Sequence, residues 1–296
     1  MMTKTKADLL LLLITVFWGF SYLLADLSLA ELPVFQLNAL RFLLAFLIAG
    51  ISFGKKLFPV TIQTVKASFM LSLILTGVYT SATYGLKFTS LSNASFLSSL
   101  SVLFTPIILW ILFHRKPSRR IVTSVVLSVI GIALLTIQGD FIPAWGDLLC
   151  IICSIVYGLH LVTTELMVRK PEVNAFQTGV YQLGFTGFLN LILSMIIEKQ
   201  VMPEQNKIWI YVVILSVFCT GVSFIVQSIA QQYTEASHVG IIYALELVFA
   251  GLVAWIFAGE VLMPRNYIGA GILFLSLLIS VTGPGETSEY QESGNV

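Results

Sequence analysis

Ten times along this chain, some twenty predominantly apolar residues follow one another with almost no charge between them. A run of that length matches the hydrocarbon thickness of a bilayer when wound as a helix. The runs fall near 8–25, 34–53, 66–86, 92–113, 120–138, 147–166, 174–197, 207–229, 237–257 and 266–283. Pro33, Pro59, Pro117, Pro143, Pro171, Pro203 and Pro264 all lie between runs. Pro106 lies inside the fourth, where a kink is expected. Only 10% of the residues are charged and 57% are apolar, against roughly a quarter charged in a soluble domain. A soluble fold cannot hide that much apolar surface, so the expected solvent is lipid. The fold class is an all-α membrane protein.

Charge placement orients the spans. With the N-terminus cytoplasmic, Lys4, Lys6, Lys55, Lys56, Lys66, Arg115, Lys116, Arg119, Arg120, Arg169 and Lys170 fall inside. Only Lys87, Lys199, Lys207 and Arg265 fall outside, and Arg41 sits within the second span. Both termini are therefore expected in the cytoplasm, on a multi-pass protein of the cell membrane. The N-terminal basic and apolar segment is too long for a signal peptide and reads as a retained first helix. The tail GETSEYQESGNV is expected to be disordered.

The halves resemble each other. FTSLSNASFLSSLSVLFTPIILWILF (88–113) lies over YTEASHVGIIYALELVFAGLVAWIFA (233–258) without a gap. Identities include Thr89/Thr234, Ser92/Ser237, Leu100/Leu245, Phe104/Phe249 and Trp110/Trp255. FWGFSYLL (17–24) likewise parallels VYGLHLVT (156–163), with Gly19 over Gly158. Each unit then holds five spans, and an odd count forces the second to enter the membrane upside down. The expected organisation is a first five-helix repeat over 1–140, a second over 141–283 and a tail over 284–296. Inverted repeats are a recurrent architecture of alternating-access carriers, with the substrate site at the repeat interface.

Four stretches resemble the EamA-type drug/metabolite transporters: WGFSYLL, RFLLAFLIAG from Arg41, WGDLLCIICSIVYGLHLV from Trp145 and LELVFAGLVAWIFAGE from Leu245. The resemblance runs from about residue 8 to residue 283. Relatives usually read Glu-Pro-Val-Phe-Ala and then close on Gly-Glu. Here Glu246 and Gly259–Glu260 match, but Leu247 replaces the proline and Val102 occupies its slot in the first half. His114-Arg115 stands where the first half would carry its own Gly-Glu. The usual cause of a kink beside Glu246 is thus missing. The resemblance implies a cavity between the first four helices of each repeat, with the fifth and tenth peripheral. It also implies that Arg41, paired with Phe42, is a structural anchor, and its place near the outer end of its span allows it to snorkel.

Ionisable groups inside spans are expensive and are functional candidates by default. Glu246 lies nine residues into its span, at a depth of about 13 Å, with Tyr243 one turn earlier. It is either a proton site or a helix-to-helix hydrogen bond. His160 stands in a stripe with Cys153, Tyr157 and Thr164 at helical spacing, and is either a titrating or ligand-binding group or a neutral bonded histidine. Glu165 reaches interfacial water or Arg169, and Asp147 reads as a helix N-cap. Ser223, Gln227 and Gln231 share a face of the eighth span, and Gln227 suits an uncharged or zwitterionic ligand. Thr76, Thr80 and Thr83 share a face of the third, with Tyr79 and Tyr84 as aromatic walls. Ser95 and Ser99 mark the fourth, where small hydroxyl residues also serve packing. The substrate-binding or proton-coupling candidates are Glu246, His160, Tyr157, Tyr243, Gln227, Tyr79, Thr83 and Ser99.

Cys150 and Cys153 form a C-x-x-C pair too small for a zinc site, which normally takes four ligands, and read as small residues at a helix contact. No cofactor or metal is expected, and no nucleic acid. No P-loop supplies ATP drive. The absence of H-E-x-x-H, G-x-S-x-G or paired membrane aspartates argues against an intramembrane enzyme. The leading expectation is a secondary transporter, an exporter of small metabolites or drug-like compounds, working by alternating access with proton coupling through Glu246 or His160. The alternative is a non-transporting membrane sensor or scaffold.

Overall fold

The computed structural model describes residues 2–89, 91–136, 144–257 and 263–281. Within them the chain is all helical: α1 (Lys4–Leu29), α2 (Val34–Phe53), α3 (Ile62–Phe88), α4 (Leu91–Ser99), α5 (Ser101–Phe113), α6 (Arg119–Thr136), α7 (Trp145–Val168), α8 (Ala175–Ile197), α9 (Asn206–Ile214), α10 (Ser223–Ala230), α11 (Ala236–Tyr243), α12 (Glu246–Phe257) and α13 (Pro264–Val281). Eight helical segments are long and apolar enough to cross a membrane. Helices α6 and α13, at the fifth and tenth expected spans, are helical but fall outside that set. Apolar side chains such as Leu47, Ile51, Ile111 and Ile196 are exposed on the outer surface. Water would make that surface costly and lipid would not, so this is a multi-pass membrane protein.

Helix starts follow local chemistry. Thr3 accepts from Lys6 N–H, Thr61 from Thr64 N–H and Asn174 from Gln177 N–H, each supplying an acceptor to a first-turn donor. Asp147 departs from its expected place. It is the third residue of α7, and Ala144 holds the N-cap position. Its Oδ2 still accepts from Ala144 N–H at 2.7 Å, and its Oδ1 accepts from Thr89 at 2.6 Å.

The most intimate pairings join the N-terminal half of the chain to the C-terminal half: α3 with α7, α2 with α8 and α6 with α13. In the last, the Ser128 and Ser276 hydroxyls meet at 2.7 Å. The larger core unites α1, α2, α3, α7, α8 and the eighth span. A second core joins α5, α6, α11, α12 and α13.

Three departures from regular helix matter. The first two are breaks in the fourth and ninth expected spans. At Leu100, α4 gives way to α5, and at Ala244–Leu245, α11 gives way to α12. The same backbone bonds recur at both. Leu100 and Leu245 donate to Leu97 and Ile242, and accept from Leu103 and Val248. Each also accepts from the next residue along, Phe104 or Phe249. These are the positions that the Thr89/Thr234 alignment pairs. Pro106 explains only part of this: its helix stays intact through it, and the break lies more than a turn earlier. The second break has no proline at all. Close tertiary packing accompanies both. Gly19 of α1 brings its backbone so close to α12 that a Cβ there would lie 2.8 Å from the Phe249 Cβ. Gly158 of α7 approaches Thr105 of α5 in the same way, with a Cβ 3.2 Å from its backbone nitrogen. Irregular backbone at membrane depth is tolerated where protein buries it or a cavity abuts it.

The third departure lies in the eighth span, where Leu215–Val222 winds as a π-helix between α9 and α10. Carbonyls there are taken by side chains: the Trp18 indole donates to Cys219 O at 2.9 Å and the Ser223 hydroxyl to Phe218 O at 2.8 Å. Such π segments often occur at functional sites.

Candidate functional site

One cavity lies against both breaks. Its lining includes Trp18, Ser21, Tyr22, Arg41, Tyr79, Thr83, Ser98, Ser99, Ser101, Tyr157, Phe224, Tyr243 and Glu246. Helices α1, α2, α3 and α4–α5 face it from the N-terminal half. Helices α7, α10 and α11–α12 face it from the other.

Glu246 is not mid-helix. It is the first residue of α12, directly after the break, and Ser101 holds the corresponding place at the start of α5. The Tyr22 hydroxyl donates to Glu246 Oε1 at 3.1 Å. Around it the aromatic rings form a cluster: Trp18 meets Tyr243 edge-on at 4.6 Å and Tyr157 at 6.2 Å, while Tyr157 and Tyr243 lie parallel at 6.4 Å. The Tyr243 hydroxyl and the Ser99 hydroxyl are buried without a hydrogen-bond partner. Buried polar groups are nearly always paired, so these two hydroxyls at one cavity leave hydrogen-bonding capacity there that the described residues do not use.

Six of the eight expected residues line this cavity: Glu246, Tyr157, Tyr243, Tyr79, Thr83 and Ser99. His160 and Gln227 do not. His160 lies one ring behind it, parallel to Tyr157 at 6.0 Å and edge-on to Phe224 at 6.1 Å, with the Gln182 carboxamide beside it. Gln227 is turned along its own helix. It donates to Gln231 at 3.1 Å and accepts a long bond from the Tyr157 hydroxyl at 3.5 Å, and Gln231 donates on to Leu161 O. Helical spacing correctly put these polar stripes on inward faces. It could not show that each inward face extends beyond the cavity.

Arg41 differs from its expected position. It does not snorkel to the interface: it is 3% exposed and lies at the cavity wall. Its Nε donates to Thr220 in the π segment at 2.9 Å, and Nη2 to Ser21 at 3.4 Å. The guanidinium carbon stands 4.8 Å from the Tyr79 ring centroid. Its partners on α1, α3 and the π segment hold the side chain inward. Trp18, Ser21, Tyr22, Ser98, Ser101 and Phe224 were likewise not singled out. The alignment of FWGFSYLL with VYGLHLVT was the available signal, since it sets Trp18 over Tyr157 and Ser21 over His160.

The far ends of the same helices are tied by charge. Glu165 is buried and reaches Arg169, one of its two expected partners. Its Oε1 pairs with Arg169 at 2.7 Å and with Arg115 at 3.5 Å, and its Oε2 accepts from Ala236 N–H at 2.7 Å. The carboxylate thus caps α11 from α7. Asp8 of α1 lies 3.2 Å from His238 of α11. Cys150 and Cys153 are free and buried, and Cys150 packs where α3 passes closest at Gly85. The expected Gly259–Glu260 pair, the Ser95 side chain and the acidic tail lie outside the described residues.

A family model described as the EamA-like transporter family matches the chain twice, over residues 5–137 and 144–282. An uncharacterized transporter of Archaeoglobus fulgidus is 28% identical over 286 residues, covering 93% of this chain and 86% of that one. The uncharacterized transporter YetK of Bacillus subtilis is 22% identical over 289 residues, with 92% and 86% covered. A solved crystal structure superposes with a TM-score of 0.77 at 18% identity, covering 93% of this chain and 97% of that one. At that identity the likeness speaks for the fold alone.

Proposed function

The chain belongs to the EamA-like transporter family, and from that premise we propose that it is a secondary transporter whose substrate occupies the cavity between the two helix breaks. Two five-helix repeats of opposite orientation, over 1–140 and 141–283, would make up its ten spans. Alternating access would arise as they rock about the cavity. The observation that carries this reading is the pair of matched breaks. Each abuts one cavity, and each is pinned by the first helix of the other half at Gly19 or Gly158. Discontinuous helices at a repeat interface are a common construction for binding cargo at the membrane midplane.

Placement supports a reading of direction and coupling. The cavity lining reaches Ala25, Leu86 and Ala94, which lie near the ends of α1 and α3 and the start of α4. The Glu165 cluster and the Asp8–His238 pair tie the opposite ends. In the orientation favoured by the Lys and Arg bias, that describes a cavity facing outward with the cytoplasmic side latched, in a protein of the cell membrane with both termini inside. Export of small metabolites or drug-like compounds fits this state as the one that releases cargo. Glu246 is the coupling group we assign. It meets the cavity, its hydrogen-bond partner among the described residues is a hydroxyl, and a carboxyl there can exchange a proton as the site alternates between dry and wet. His160, enclosed by rings, takes a supporting position.

The test is flux. Purified protein in liposomes is challenged with a metabolite panel, with and without an imposed pH gradient. The reading expects at least one compound to move across protein-containing vesicles only, and faster with the gradient. Folded protein that moves none of a broad panel contradicts it and favours the sensor or scaffold.

A further inference from the structure

Arg41 is a buried cation that no acid of the described residues answers. The carboxylates among them that meet a basic side chain pair with Arg115, Arg169 and the His238 ring, and no Asp or Glu oxygen of the described residues stands within 4.0 Å of the Arg41 guanidinium. Its recorded hydrogen bonds go to two neutral hydroxyls, Thr220 and Ser21, although a guanidinium offers five donors. A charge held inside a membrane without a counter-charge is costly. A merely structural anchor would be cheaper as a neutral amide or as a pair. Yet the surroundings aim this group with care. Thr220 belongs to the π segment, Ser21 lies next to the Tyr22 that holds Glu246, and the Tyr79 face lies 4.8 Å from the guanidinium carbon. Arg41 is also the only Lys or Arg in the described cavity lining.

We propose that Arg41 is the anion receptor of the cavity, and that the cargo carries a single carboxylate on an apolar or aromatic body. With Glu246 carrying its proton, one guanidinium balances one negative charge. A phosphate dianion or a dicarboxylate would leave charge unanswered where the described lining holds no second Lys or Arg. The carboxylate oxygens accept from the free N–H fork, the geometry at which arginine is strongest. The body lies among Trp18, Tyr79, Tyr157, Phe224 and Tyr243, and the unpaired hydroxyls of Tyr243 and Ser99 can bond polar substituents. This rests on the transport reading only for the word cargo; the binding claim stands on the cavity alone.

The experiment is equilibrium binding to the full-length protein in detergent, with three probes of one shape: 3-phenylpropionate, 3-phenylpropionamide and 3-phenylpropylamine. Wild type is expected to bind the carboxylate roughly ten- to a hundredfold more tightly than the amide, the range that a hydrogen-bonded charge supplies. The amine should be weakest. Arg41→Gln should erase the preference, and Arg41→Lys should keep its sign with a smaller ratio. If Arg41→Gln does not fold, Thr220→Ala decides: loosening the guanidinium should narrow the carboxylate-to-amide ratio severalfold. Equal binding of acid and amide by wild type, tighter binding of the amine, or an unchanged ratio in a folded Arg41 or Thr220 variant overturns the proposal. Selective binding without flux would sink the transport reading and leave Arg41 standing. Flux indifferent to the carboxylate would do the reverse.

Discussion

At Leu100 the chain turns out of α4 and presents Ser101; at Leu245 it turns out of α11 and presents Glu246. The backbone does the same thing twice, bond for bond, while the side chains do not. The difference extends to the facing helix. Glu246 has the Tyr22 hydroxyl, but the residue that the FWGFSYLL/VYGLHLVT alignment sets over Tyr22 is Leu161, which offers none. The lesson is a division of labour. Repeated backbone supplies the shape of a site between the halves, and divergence of a few side chains gives one half the acid and the other a neutral hydroxyl.

That comparison breaks first if the two positions are interchangeable. The double variant Ser101→Glu/Glu246→Ser should lose gradient-driven flux by on the order of a hundredfold or more, the scale of a positioned proton-transfer group, because Leu161 cannot receive the moved carboxyl. Flux near wild type would show that either break can carry the acid.

The packing at the two breaks gives the next largest contrast. Gly19→Ala sets a Cβ 2.8 Å from Phe249 Cβ and 2.9 Å from Ala250 N, both close to backbone that cannot yield. Overpacking of that kind costs about 1–3 kcal/mol and outweighs the gain of about 1 kcal/mol from replacing a helical glycine. Gly158→Ala meets Ile108 Cδ1 and Thr105 at 3.2–3.3 Å, where a small shift suffices. The thermal midpoint in detergent should fall for Gly19→Ala and stay near wild type for Gly158→Ala.

Smaller still is Tyr22→Phe. It removes one hydrogen bond to Glu246 and should cost about 1 kcal/mol, read as a severalfold loss of flux with the fold intact. At the tied end, Arg169→Gln should loosen the bundle more than Arg115→Gln. The Arg169 pair is 2.7 Å long, whereas Arg115 stands at 3.5 Å with 46% of its side chain exposed. Protease susceptibility of the 169–175 segment reads this difference, and equal susceptibility would count against a latch centred on Glu165 and Arg169.

The membrane class was legible because hydropathy registers what lipid demands of every residue. Inward-facing stripes were legible too, since Tyr157, Tyr243 and Thr83 sit at helical spacings that survive into the bundle. The breaks were not. Neither Leu245 nor Leu100 is a glycine or proline, and the close approaches of α1 and α7 at Gly19 and Gly158 beside the breaks are contacts that only the folded chain makes. Arg41 was misplaced for the same reason. Distance from a span end suggests snorkelling, but the neighbours on α1, α3 and the π segment decide where the side chain can go. At Glu165 the sequence made the Arg169 contact legible, but not the long-range bond from Ala236 of α11.

The most direct test is proton movement from wild type, Glu246→Gln and Ser101→Ala in liposomes on a sensor surface, driven by one transported compound at two pH values. The account predicts that Glu246→Gln still binds the compound but moves no protons with it, while Ser101→Ala keeps its currents within about twofold, as expected for loss of one neutral hydrogen-bonding group. Full, pH-dependent currents in Glu246→Gln would contradict it and leave the carboxyl a bond between helices.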